Sequence, residues 1–97
     1  MLLRQLLQDE NPDIYLEALS LLKFVVASLA PSLSSLDLHL MMGSFIGIIV
    51  GNTLSGNIRV KVNSDKVIIF FAKHENIGSS IVAKEVTKNI DRINQTL

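Results

Sequence analysis

The sequence predicts an all-α protein built from antiparallel helix pairs that pack side by side. Apolar residues recur at helical spacing in successive segments, and turns rich in Asn, Ser or Pro separate these segments. The first helical pattern also returns 46 residues along the chain, so that Ile14 corresponds to Val60. With 97 residues, the chain is expected to form a single domain with a modest core.

The N-terminal part of the sequence is predicted to contain the end of one helix, followed by the clearest helix of the chain. Residues 1–8 carry leucines at helical spacing with no N-cap before them, so we expect the end of a preceding helix. The next helix begins after Asn11, a favourable N-cap, with Pro12 in its first position. Pro31 is expected to close it. The stripe expected to be buried consists of Ile14, Ala18, Leu21, Leu22, Val25 and Leu29.

The third segment predicts a helix that begins at Ser34 or Ser35 and is apolar around much of its circumference. One apolar stripe consists of Leu38, Met42, Phe45 and Ile49, and an adjacent one of Leu36, Leu40, Gly43 and Gly47. Such a helix must be covered on more than one side, and its glycines would let a neighbouring helix approach closely. Its uninterrupted apolar run is about half of the ~20 residues that cross a bilayer, so no membrane span is predicted.

The C-terminal segment predicts an amphipathic helix. Its apolar stripe, which we expect to be buried, consists of Val82, Val86, Ile90, Ile93 and Leu97. The arc expected to face solvent consists of Lys84, Glu85, Lys88, Asp91 and Arg92.

Residues 58–71 permit two interpretations. Alternating apolar and polar residues predict a β-hairpin, which would make the fold α+β. A shift of the first helix by 46 residues favours a helix instead, because Ala18 then falls on Ser64 and Val25 on Phe71, although Leu19 falls on Asp65. We expect a helix, since packing overrides the weak helix propensities of Val and Ile.

The repeated pattern divides the chain into two units, a helix pair at residues 9–54 and another at residues 55–97. A period of about 40–47 residues per helix pair is typical of HEAT and armadillo α-solenoids. More narrowly, the Asn-containing turns, each followed by an apolar, a polar and a small residue, resemble the repeats of TOG domains. Such domains occur in the CLASP and crescerin groups of microtubule regulators.

The resemblance implies a non-catalytic protein-binding module that contacts tubulin through the turns within each helix pair. It also implies a cytoplasmic location at the cytoskeleton, centrosome or cilium. In this sequence those turns carry Pro31 and Ser32 in the first unit, and Lys73 and His74 in the second. The chain departs from the TOG pattern because it has no Trp and no net positive charge. A general scaffold with another protein partner is therefore the alternative, followed by a small membrane-associated protein.

Composition and motifs do not indicate an enzyme, a cofactor or a metal site. The chain has no Cys, and His39 and His74 lie on different segments without the spacing of a metal motif. Nine basic and nine acidic residues form no basic cluster along the sequence, so nucleic-acid binding is not expected. Leu2, Leu6 and the C-terminal apolar stripe would favour self-association if further repeats do not cover them.

Overall fold

The computed structural model describes residues 2–96, together with the side chains of residues 2–91. The helices are α1 (Leu2–Leu7), α2 (Pro12–Leu29), a short 3₁₀ helix (Ala30–Ser32), α3 (Ser35–Asn52), α4 (Ile58–Lys73) and α5 (Gly78–Thr96). No strand occurs in this described part of the chain. The all-α prediction is confirmed, and the α+β alternative with a hairpin at residues 58–71 is wrong.

Polar side chains fix the first residues of three helices. Asn11 Oδ1 accepts a backbone hydrogen bond of 2.9 Å from the first turn of α2, and Asn57 Oδ1 accepts two such bonds, of 3.0 and 3.2 Å, from α4. Ser34 Oγ accepts one of 3.1 Å from α3. These bonds satisfy N–H groups that have no partner inside the helix. The predicted caps Asn11 and Ser34 are confirmed.

Helices α2 and α4 lie side by side and run in the same direction. Near their starts, Arg59 Nη2 lies 3.2 Å from Asp13 Oδ1. Near their ends, Lys23 Nζ lies 5.1 Å from the centre of the Phe70 ring. Because both pairs join corresponding parts of the two helices, the turns that follow α2 and α4 lie at the same end of the molecule.

The remaining helices complete the core around this parallel pair. Helix α3 packs against α4 and α5, helix α5 also packs against α4, and α1 packs against α2 and α3. The backbones of α2 and α3, which form the first predicted helix pair, approach each other much less closely. Helices α2 and α3 are therefore held in place mainly by their contacts with α1 and with the helices of the second unit, and less by contact with each other.

The buried face of α2 is rotated relative to the predicted stripe. Its buried residues are Tyr15, Ala18, Leu19, Leu22 and Val26. In contrast, Leu21 and Leu29 expose 49% and 46% of their surface, and Ile14 is also exposed. The prediction was wrong for these three residues because α2 is apolar on nearly every side, so that spacing alone does not select one face.

The buried positions of α4 correct the predicted correspondence between the two units. They are Val60, Ser64, Val67 and Phe71. They match the buried positions of α2 after a shift of 45 residues, from Tyr15 to Val60 and from Leu22 to Val67 (60 − 15 and 67 − 22). The N-caps, however, are 46 residues apart (57 − 11). One residue of difference turns a helix face by roughly 100°.

Helix α3 contributes the largest share of the core. Its buried residues are Leu38, Met42, Phe45, Ile46, Ile49 and Val50, which confirms the first predicted stripe. Leu36 and Leu40, from the adjacent stripe, are exposed. Gly43 and Gly47 of that stripe face α5. In the second stripe, the two glycines are therefore covered by α5, whereas the two leucines are exposed to solvent.

Helix α5 buries two polar residues, for one of which the sequence predicted solvent exposure. Glu85 was assigned to the exposed arc, but both Glu85 and Asn89 are only 8% exposed. In the predicted apolar stripe, Val82 is buried, whereas Ile90 is exposed. Ile93 and Leu97 lie outside the described side chains. The glycines of α3 cause this change, because they leave room for polar side chains at the helix contact.

Candidate functional site

The four predicted binding residues lie in two turns at one end of the molecule. Pro31 and Ser32 belong to the exposed 3₁₀ helix after α2. Lys73 is the exposed last residue of α4, and His74 is its half-buried C-cap residue. Among the described residues, no hydrogen bond or ion pair joins the two turns. The structure places all four residues at a common edge, and their binding role remains a prediction.

His74 helps to shape the turn between α4 and α5. Its Nδ1 accepts a hydrogen bond of 3.2 Å from the backbone N–H of Asn76, and its ring centre lies 6.0 Å from that of Phe70. The His74 carbonyl accepts bonds from the backbone N–H groups of Ile77 and Gly78. Since Nδ1 is already an acceptor, Nε2 is the ring atom left to contact a partner.

A groove between α2 and α4 brings together cations that are far apart in the sequence. Its volume is about 330 Å³. The residues that line this α2–α4 groove are Leu16, Leu19, Ser20, Lys23, Arg59, Asn63, Lys66 and Val67. Its floor is therefore partly apolar, while three basic side chains stand around it. Three positive charges close together attract anionic groups.

The basic side chains continue from the groove to the turn edge. Arg59, Asn63, Lys66, Phe70 and Lys73 follow one another at steps of four, three, four and three residues on α4. Residues with this spacing lie on a single helix face. Lys73, predicted from the turn alone, therefore extends the line formed by Arg59 and Lys66.

The three basic side chains of the groove differ in whether a neighbouring carboxylate neutralises their charge. Arg59 pairs with Asp13, although both side chains are largely exposed. Lys23 lies over the Phe70 ring, which stabilises its ammonium group without neutralising it. Among the described side chains, no carboxylate oxygen lies within 4.0 Å of Lys66. Lys66 and Lys23 are thus the groove cations most available to an anionic partner.

This cluster was not predicted, because its members form no run of basic residues in the sequence. Acidic residues are interspersed with the basic ones along the chain, and the net charge is zero. A local signal was nevertheless present, since Arg59, Lys66 and Lys73 recur every seven residues. Only the helical interpretation of residues 58–71 places them on one face.

Among the described residues, no cluster of three or more His, Asp or Glu side chains lies where it could hold a metal ion. A buried hydrogen bond joins Tyr15 Oη and Ser64 Oγ at 2.6 Å, between α2 and α4. Burial raises the pKa of Tyr15, and the Ser64 hydrogen bond acts in the opposite direction. This buried pair holds the two helices in register.

Two helical stretches are long and apolar enough to cross a membrane, judged by length and composition alone. They are Pro12–Ser32, with a mean hydropathy of 1.6, and Ser35–Asn52, with 1.3. One third of each stretch is buried inside the fold. The absence of a membrane span was predicted from the apolar run of the second stretch alone, and it remains a prediction.

Comparison with known protein families, with curated proteins and with solved structures finds no match for this chain. The resemblance to TOG repeats is therefore carried by the sequence pattern alone.

Proposed function

We propose that the chain is a non-catalytic protein-binding module that uses the α2–α4 groove and the adjoining turn edge to bind an acidic partner. One observation carries this proposal: Arg59, Lys66 and Lys73 align on one face of α4, and Lys23 faces them from α2. On a chain with no net charge, such a local concentration of cations attracts acidic surfaces selectively.

Part of the helix arrangement agrees with a HEAT-like interpretation of this module, although α2 and α3 approach each other less closely than the two helices of one unit would. Helix α2 lies beside α4 and α3 beside α5, as equivalent helices of successive repeats do in an α-solenoid. Helix α1 packs on both α2 and α3, which is the position of the second helix of a preceding unit. In such an array the turns form a continuous edge, and Pro31, Ser32, Lys73 and His74 would belong to it.

Tubulin is the partner that we propose first, because the turns resemble those of TOG repeats and tubulin is acidic. Without a tryptophan at the edge, binding would depend on the basic side chains together with the apolar floor of the groove. Such binding is weakened by salt, which screens exposed charges beyond about 8–10 Å at physiological ionic strength. Another acidic protein that docks on the same groove is the alternative within this class.

Charge reversal along α4 tests the proposal. We expect Lys66→Glu and Lys73→Glu each to weaken binding to purified tubulin by about three- to tenfold, which corresponds to roughly 0.7–1.4 kcal/mol per site. Lys84→Glu is the matched control, since Lys84 is an exposed lysine on α5 outside the groove. Cosedimentation or biolayer interferometry at two salt concentrations measures all four proteins.

Two outcomes would contradict this proposal in different ways. Equal binding by Lys84→Glu, Lys66→Glu and Lys73→Glu would show that neither the groove nor the turn edge takes part in the interaction. Absence of tubulin binding, combined with groove-dependent binding of another acidic protein, would support the scaffold alternative and exclude tubulin.

Membrane association is the second candidate, and one observation favours it. Helices α2 and α3 both meet the length and hydropathy of a span, while Phe24, Leu36 and Leu40 expose 65–70% of their surface. A chain that remains soluble and monodisperse in buffer without detergent would exclude this candidate.

Self-association through the N-terminal side is a further expectation of the repeat interpretation. An apolar groove of about 480 Å³ separates α1 from α2 and is lined by Leu6, Ile14, Ala18 and Leu21, with Asp13 and Glu17 beside them. Sedimentation velocity over a range of concentrations measures this association. We expect Leu21→Glu to reduce it.

A further inference from the structure

A second cleft lies between α3 and α5, near Arg4 of α1, and its lining differs from that of the α2–α4 groove. This α3–α5 cleft has a volume of about 310 Å³. Gly43, Gly47 and Gly51 contribute bare backbone to its wall on α3. Glu85 and Asn89 line it from α5, and each is only 8% exposed. The cleft is therefore lined by a glutamate and an asparagine that are each more than nine-tenths buried.

The glycines allow these two side chains to lie directly on α3. A Cβ at Gly43 would lie 3.4 Å from Glu85 Oε2, and a Cβ at Gly47 would lie 2.9 Å from Asn89 Oδ1. Asn89 Nδ2 donates a hydrogen bond of 2.7 Å to the Glu85 backbone carbonyl, which fixes the orientation of the amide. Its Oδ1 atom remains as an acceptor next to the carboxylate.

The Glu85 carboxylate faces the cleft without a charged partner in the described part of the protein. No described side chain donates a hydrogen bond to it, and no described Lys, Arg or His nitrogen lies within 4.0 Å. Its two oxygens remain accessible from the cleft, because no described side-chain oxygen is fully buried without a hydrogen-bond partner. A cationic group that enters the cleft can therefore pair with this carboxylate.

Two cations at the cleft restrict the kind of ligand that fits. Arg4 and Lys88 also line it, and both are exposed. They would repel a simple amine but attract an anionic group attached to it. The volume of about 310 Å³ lies at the lower end of the roughly 300–1,000 Å³ that small-molecule pockets occupy, which suits a ligand of few atoms.

We propose that the α3–α5 cleft binds a small zwitterion of the amino-acid class. The ammonium group contacts the Glu85 carboxylate and Asn89 Oδ1, and the ligand carboxylate points towards Arg4 and Lys88. The open wall at Gly51, where an added Cβ would meet no atom within 4 Å, accommodates the short carbon chain between the two charges. This inference is independent of the protein-binding role of the α2–α4 groove.

A series of ω-amino acids tests the proposal directly. Glycine, β-alanine, 4-aminobutyrate and 6-aminohexanoate are titrated into the ¹⁵N-labelled chain, with butylamine and butyrate as single-charge controls. We expect one member of the series to shift the amides of Gly43, Gly47 and Asn89 saturably, and to bind at least about fivefold more tightly than butylamine, which is roughly 1 kcal/mol. The preferred length measures the distance between the two charged ends of the site.

Variants separate a specific site from general charge attraction. Glu85→Gln keeps the shape of the side chain, and we expect it to weaken binding of the preferred zwitterion at least about tenfold, or 1.4 kcal/mol. The double variant Arg4→Gln/Lys88→Gln changes only exposed side chains, and we expect it to abolish the advantage of the zwitterion over butylamine. Lys84→Gln, on the same helix but outside the cleft, is expected to bind like the unmodified chain.

Three results would overturn the proposal. The first is the absence of saturable shifts with every member of the series at concentrations in the tens of millimolar. The second is unchanged binding by a folded Glu85→Gln variant. If that variant does not fold, the double variant Arg4→Gln/Lys88→Gln tests the proposal instead. The third overturning result is that this double variant still binds the zwitterion more tightly than butylamine.

Discussion

Substitution of Gly47 by alanine would place a methyl group where α3 and α5 are in closest contact. The added Cβ would lie 2.9 Å from Asn89 Oδ1, a separation that folded proteins essentially never show. Asn89 is buried, and its amide donates a hydrogen bond of 2.7 Å to the Glu85 carbonyl. Relief of the clash therefore requires Asn89 to rotate and weaken that bond, or α5 to move away from α3.

The two effects of the substitution have opposite signs. Replacing glycine by alanine inside a helix stabilises a protein by roughly 0.5–1 kcal/mol. Leaving a buried amide without its hydrogen bond costs about 1–3 kcal/mol, and an overpacked contact costs a similar amount. We expect Gly47→Ala to lower the free energy of unfolding by about 1 kcal/mol net, since the second effect is the larger.

Gly51→Ala is the matched control on the same helix. A Cβ at Gly51 would have no atom within 4 Å, so only the helix-propensity gain remains. We expect this variant to be more stable than the unmodified chain by up to about 0.5–1 kcal/mol, less if the end of α3 frays. Urea unfolding followed by circular dichroism measures both, and each kcal/mol corresponds to a shift in Tm of about 4–8 °C for a domain of this size. Equal stabilisation by both substitutions would refute the close contact of α3 and α5 at Gly47.

Three further predictions concern the α2–α4 contact and the start of α4. Tyr15→Phe removes the buried hydrogen bond to Ser64 and should cost about 1–2 kcal/mol. Because burial holds the pKa of Tyr15 above its ordinary 10.0, the unfolded state loses this proton first as the pH rises. The free energy of unfolding of the unmodified chain should therefore decrease once the pH exceeds that ordinary pKa, and it should decrease less in Tyr15→Phe. Unfolding measured across alkaline pH tests this difference. Asn57→Ala should cost about 1 kcal/mol in urea unfolding, since two backbone N–H groups lose their cap. Arg59→Gln should change stability by less than about 0.5 kcal/mol, because its pair with Asp13 is solvent-exposed, and a loss well above 1 kcal/mol would contradict this view.

Local signals in the sequence were sufficient to predict the helices and most of their ends. Asn11 and Ser34 cap helices as predicted, and the comparison of residues 58–71 with α2 correctly favoured a helix over a hairpin. The caps depend on contacts between residues two or three positions apart, which a single sequence records directly, whereas the helix at residues 58–71 was indicated by the internal repeat.

The buried faces were predicted less well because they depend on distant residues. Tyr15 is buried because Ser64, 49 residues away, supplies a hydrogen-bond partner. Glu85 is buried because Gly43 lies opposite it on another helix. Neither partner is visible from the local apolar pattern of α2 or α5.

The basic surface was only partly predictable for the same reason. The seven-residue spacing of Arg59, Lys66 and Lys73 is present in the sequence, but it becomes a surface only once the segment is known to be helical. Lys23 joins this surface because α2 and α4 run parallel, and that arrangement is a tertiary feature.

The partner-binding surface can be located most directly by NMR on the ¹⁵N-labelled chain during titration with unpolymerised tubulin. The proposed function predicts that the earliest losses of amide intensity occur at Lys23, Arg59, Lys66 and Lys73, and that they diminish as salt is added. Losses centred instead on α5 or on the apolar groove between α1 and α2, with the α4 amides unaffected, would contradict it.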